Sequence, residues 1–120
     1  MISETVQFET FEQSIEYRIG TSANSNFTVI DSAQAEDIWF HVKSQSSCHV
    51  VAMISAYPPK TFSKKELHSI IKRGALLCKQ NSRYKSDPSV DIDYTRLENV
   101  QKTKIAGTVI LRKTPSVISV

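Results

Sequence analysis

The chain has 120 residues, two cysteines and a formal net charge of +3, with hydrophobic residues making up 40% of it. That length suits a single domain, residues 1–120, able to bury a core without covalent staples, and two cysteines argue against a disulfide scaffold. The charge is uneven: residues 1–40 carry seven acids and one base, whereas residues 41–120 carry fourteen bases and five acids, a split that suits a basic face for a polyanion beside an acidic edge.

The opening stretch MISETVQFETFEQ is acidic and has no apolar core, so it is not expected to act as a signal peptide. No apolar run approaches the ~20 residues of a membrane span. A cytoplasmic, reducing setting with free thiols is the expectation. TVQFETF pairs as a hairpin with SIEYRIG through Glu12-Gln13; in the second strand Ile15, Tyr17 and Ile19 share one face and Ser14, Glu16 and Arg18 the other. TSANSN reads as a polar loop ending at Asn26. In FTVIDSAQAED, Phe27–Ile30 has strand composition, while Ile30–Ala35 suits a helical turn.

DIWFHVK alternates again, with Ile38, Phe40 and Val42 on one side and Asp37, Trp39, His41 and Lys43 on the other. HVVAMIS, beyond a Ser/Gln turn, is apolar without a break, as a central strand buried on both faces would be. Ser63 and Glu66 form a capping-box pair, and the apolar spacing of Leu67, Ile70, Ile71, Ala75, Leu77 and Cys78 predicts a helix over about 64–81. Its other side carries Lys65, His68, Lys72 and Lys79, with Arg73 and Arg83 nearby, a basic stripe or simply a solvated surface. A strand spans Val90 to Tyr94 or Thr95, and TVILRK and SVISV close the chain as two short strands. The fold class expected is α+β, a mostly antiparallel sheet with one main helix packed on it.

The cluster in AEDIWFHVKSQSSCHVV invites three chemical readings. Zinc fits poorly: Cys48 and His49 face opposite ways on a strand, and Asp37 and His41 stand about 13 Å apart along one. A Cys48 or Ser47 nucleophile would need His41 as base and Asp37 or Asp93 to orient it; no nucleophile elbow, P-loop or dinucleotide fingerprint is present. Trp39 suits either a core position or a stacking platform for a nucleobase, and His41 and His49 suit hydrogen-bonded structural roles.

EDIWFHV followed six residues later by HVV resembles the signature of the NFACT RNA-binding domain family. The likeness runs through Tyr17–Gly20, Asn26, the lysine-rich helix from Ser63, DYTRLENVQK and Gly107-Thr108-Val109. The chain departs from that pattern at Thr21, where the family has a base, at Cys48, where it has Ser or Ala, and at Lys102-Thr103-Lys104-Ile105, where it has Lys-Pro-Lys-Gly. The resemblance implies a non-catalytic domain without cofactor or metal that binds structured RNA, such as tRNA or rRNA of the large ribosomal subunit, in a setting of ribosome-associated quality control. A coiled-coil member of the family is associated with DNA, which keeps DNA open as a partner. The expected phosphate contacts are Lys65, Lys72, Arg73, Lys79, Arg83, Lys102 and Lys104, with Arg96 and Lys43 as second choices and Trp39 and His41 at the mouth of the sheet. The alternative is a protein-interaction module that docks on a ribosomal or quality-control partner through the acidic hairpin edge.

Overall fold

The computed structural model describes every residue, Met1–Val120. Eight strands and two α-helices follow in the order β1 (Ile2–Phe8), β2 (Gln13–Gly20), α1 (Ala23–Asp31), β3 (Ile38–Val42), β4 (His49–Ala52), α2 (Lys64–Gln80), β5 (Asp91–Arg96), β6 (Val100–Lys102), β7 (Val109–Leu111) and β8 (Ser116–Ser119). Six of the strands form an antiparallel sheet ordered β1-β2-β4-β3-β5-β8, and β6 and β7 make a separate hairpin. The α+β class is as the sequence implied. No helix is long and apolar enough to cross a membrane.

The alternation in SIEYRIG and IWFHV is realised as two cores on opposite faces of one sheet. On one face Ile15, Tyr17, Ile19, Phe40, Val50 and Ile92, each 0% exposed, meet Ile70, Ala75, Leu77 and Cys78 of α2. Each such aliphatic side chain stabilises the fold by roughly 1.5–3 kcal/mol through burial. The Tyr17 hydroxyl donates to the Ile70 carbonyl at 2.8 Å and ties strand to helix. On the other face Trp39, Val51 and Met53 meet Val29 and Ile30 of α1 and Val100 of the small hairpin. β4 is therefore buried on both sides, as its unbroken apolar run implied.

Helix α2 begins where the capping box placed it: Ser63 Oγ accepts from the Glu66 N–H, and Glu66 Oε1 accepts from the Ser63 N–H. The main departure lies earlier. TSANSN is not a loop throughout, and Phe27–Ile30 is not a strand; together they supply the cap and body of α1. Ser22 and Ser25 form a capping box of two serines. Asn, Thr and Val are weak helix formers, but burying Val29 and Ile30 against Trp39 and Val51 outweighs that preference. The fold thus has a second helix beside the expected one.

Candidate nucleic-acid interface

Strand register brings three polar side chains into a line. Gly20 pairs with His49 across β2 and β4, and His41 pairs with Asp93 across β3 and β5. The imidazole rings of His41 and His49 stand 4.9 Å apart, edge to face. His49, His41 and Asp93 therefore form a row across three central strands, on the same face as Trp39 and α1. Above this row opens a cleft of about 640 Å³. Its walls are the start of α1 (Thr21–Ala23), the Ser46–Cys48 segment leading into β4, the end of α2 with Asn81–Arg83, and the 106–109 turn of the small hairpin.

Two close backbone approaches shape the cleft. A Cβ at Gly20 would lie 2.6 Å from Asn26 Oδ1 and 2.7 Å from the Ser25 carbonyl oxygen, so only glycine lets α1 sit this near β2. Asn26, itself buried, uses that Oδ1 to accept the His49 backbone N–H at 3.1 Å. Gly107 has φ +79° and would press a Cβ to 2.9 Å from Ala23 Cα, which seats the hairpin turn on the start of α1.

The floor is uncharged at its histidines. Burial, with His41 alongside, pushes the His49 pKa down to about 3. His41 is also lowered by burial, against the opposing pull of Asp93 and a hydrogen bond with the Val42 backbone. Positive charge at the cleft comes instead from Arg83, exposed and without an ion pair.

The expected contact residues fall into three places. Lys65, Lys72 and Arg73 stand exposed on the outer side of α2, as does Lys64, and none of them is in an ion pair, the chain's three ion pairs being Arg18–Glu16, Lys43–Asp93 and Lys102–Asp31. Arg83 follows the same helix into the cleft wall. Lys102 and Lys104 belong to the β6–β7 hairpin, in the layer across the sheet from α2, so the structure does not gather all seven cations on one face.

Several of these residues have structural duties. Lys102 Nζ sits 2.6 Å from Asp31 and over the Phe27 ring, and Lys79 Nζ donates to the Val120 carbonyl oxygen at 3.1 Å. Of the second choices, Lys43 faces Asp93 and Arg96 donates to the Glu36 carbonyl oxygen. Trp39 is corrected more sharply. At 2% exposure, with His41 stacked alongside at 5.5 Å, it offers no free face to a base.

The nucleophile arrangement does not form. Cys48 points to the α2 face, where its Sγ donates to the Cys78 carbonyl at 3.3 Å, and the histidines lie on the other face. Ser47 Oγ is held between the Val42 N–H and the Cys48 carbonyl. Asp37, fully buried, accepts N–H donors from Gln34 and Ser55 and orients no histidine. No three His, Cys, Asp or Glu side chains converge on a point that could hold a metal ion. His49 and Asp93 are the cleft residues that sequence reasoning passed over as contacts. Alternation in VDIDY puts Asp91 and Asp93 on one face, but which strand they meet is a matter of pairing.

The model of the family described as NFACT protein RNA binding domain matches residues 7–113. The fold is similar to the C-terminal part of the fibronectin/fibrinogen-binding protein from Streptococcus suis, with a TM-score of 0.75 and 18% identity, over all of this chain and 45% of that one. The chain thus spans less than half of that solved structure. No curated protein matches it in sequence.

Proposed function

The chain belongs to the NFACT RNA-binding domain family, and on that footing we propose that it is a non-catalytic domain that holds structured RNA through its phosphates. The observation that carries this reading is the outer face of α2. Lys64, Lys65, Lys72 and Arg73 are exposed and free of ion pairs, Glu66 is the helix's one acid, and Arg83 extends the cationic run to the cleft. Side chains not already neutralised by carboxylates are the ones that gain by displacing counterions from a phosphate backbone. Such contacts position RNA without reading its sequence.

A tRNA or rRNA is the natural class of target for this reading, with the large ribosomal subunit and its quality-control factors as the setting. The test is equilibrium binding of a tRNA-sized stem-loop RNA between 50 and 200 mM salt, with a DNA duplex of equal length alongside. About four neutralised phosphates predict a log–log slope near −3. A flat salt response would sink the reading, and tighter binding of the DNA would move the target from RNA to DNA.

A further inference from the structure

Two polar side chains on the cleft floor have hydrogen-bonding capacity that the chain leaves unused. His49 is 1% exposed; its Nδ1 is taken by the Trp39 indole N–H, and its Nε2 has no partner in the protein. Asp93 Oδ1 is buried and accepts no hydrogen bond. Its one cation, Lys43, stands 3.7 Å away, too far for a hydrogen bond, on a side chain 48% exposed and free to swing aside. An unpaired buried polar group costs about 1–3 kcal/mol, and native folds pair nearly all of them. Asp93 Oδ1 is such a group, and in one row with the unpartnered His49 Nε2 beneath an open cleft it marks a place for a ligand that supplies the missing partners.

The row also sets the ligand's shape. His49 and Asp93 lie two strand spacings apart, roughly 10 Å between backbones, with the His41 ring between them. The ligand must present an acceptor to a neutral N–H at one end and donors to a carboxylate at the other. Among nucleobase edges, guanine offers an acceptor, O6, followed by two adjacent donors, N1–H and N2–H. Adenine, cytosine and uracil each lack the adjacent pair that a carboxylate takes. At the cleft mouth, Arg83 is free to hold a phosphate. The cleft's 640 Å³ lies within the roughly 300–1,000 Å³ of small-ligand sites.

We propose that this cleft binds one unstacked guanine nucleotide of an RNA strand, with Asp93 accepting from N1–H and N2–H, His49 Nε2–H donating to O6, and Arg83 holding the phosphate. The inference rests on the RNA-binding reading for its source of ligand and refines it: α2 holds the backbone, and the cleft selects a base. Trp39 is a positioning residue, because its indole N–H forces the His49 proton onto Nε2.

The experiment follows the histidine ring resonances of the whole chain by proton–nitrogen NMR during titration with the single-stranded RNAs UUGUU, UUAUU and UUCUU, and with free GMP. UUGUU should shift the His49 Nε2 resonance and bind about tenfold or more tightly than the other two strands. Asp93→Asn, which keeps the side chain's shape, should remove that preference. GMP binding more weakly than UUGUU assigns the strand as the source; GMP binding as tightly assigns the free nucleotide. No shift of His49 with any ligand overturns the proposal, as does equal binding of the three strands that Asp93→Asn leaves unchanged. An RNA duplex, which has no unstacked base, separates the two readings. If it binds while the strands show no preference, the cleft proposal falls alone. If it does not bind while GMP still shifts His49, the RNA-binding reading falls alone.

Discussion

The indole Nε1 of Trp39 donates to His49 Nδ1 at 3.2 Å, with both side chains buried between α1 and the sheet. The bond holds His49 in one neutral tautomer, and burial keeps it neutral far below the ordinary histidine range, to about 3. It joins the signature strand β3 to β4 from the side opposite α2 and sets which ring nitrogen faces the cleft.

Stability should consequently depend on pH in a defined direction. The unfolded chain binds a proton at His49 below about pH 6.5, and the native chain refuses it until about 3. Stability is then full above pH 6.5 and is lost as pH falls through that window. His41, lowered in the same direction, adds to the loss. Urea unfolding should show roughly 1.4 kcal/mol lost per pH unit from His49 alone. His49→Asn, which keeps an acceptor for the indole, should flatten the profile between pH 6 and 5. A variant profile as steep as the parent's would assign the pH dependence to other groups.

Gly74 lies in mid-helix against the fully buried Phe40 ring, and a Cβ built on it would come within 2.3 Å of Cζ. In an exposed helix, Gly→Ala is favourable by about 1 kcal/mol. Here overpacking should win, and Gly74→Ala should destabilise the protein by roughly 1–3 kcal/mol. Adding Phe40→Leu should recover part of that loss in a double-mutant cycle. Additive losses would show that the two positions do not meet.

Charge reversal on α2 separates binding from folding. Lys65→Glu with Lys72→Glu alters exposed side chains with no ion pair. The free energy of unfolding should stay within about 0.5 kcal/mol of the parent, while the magnitude of the salt slope for RNA falls by about 1.5. Lys79→Glu should instead lower stability, because its ammonium holds the Val120 carbonyl beside β8. Unchanged RNA binding in the double variant would place the contact face elsewhere.

Cys48 and Cys78 Sγ atoms lie 3.8 Å apart, both buried between β4 and α2. The hydrogen bond with Cys48, and then burial, raise the Cys78 pKa, which keeps that thiol protonated and inert. An aromatic disulfide reagent should titrate neither thiol in the native protein and both in denaturant. Fast reaction under native conditions would contradict the packing of α2.

Period-two alternation was enough to place Ile15, Tyr17 and Ile19 together, to set Trp39 and His41 opposite Phe40, and to bury β4 on both sides. The Ser63–Glu66 box located the start of α2 for an equally local reason, since a cap is satisfied within four residues. Helix α1 was not legible. Its Asn, Ser, Thr and Val residues favour loop or strand locally, and what reverses that preference is burial against Trp39 and Val51, far away in sequence. Gly74 gave no sign of its role, because only the Phe40 ring beneath it makes a side chain intolerable there.

The same division holds at the site. By itself the sequence determined which residue types were available, the parity of each strand and the cationic outer stripe of α2, all consequences of local periodicity. Only the tertiary structure decided that His49, His41 and Asp93 stand in one row, that Trp39 is covered, and that Lys102 and Lys104 leave the α2 face. Those facts depend on which strand pairs with which and in what register, and pairing is a contest among distant segments that no single segment's pattern records.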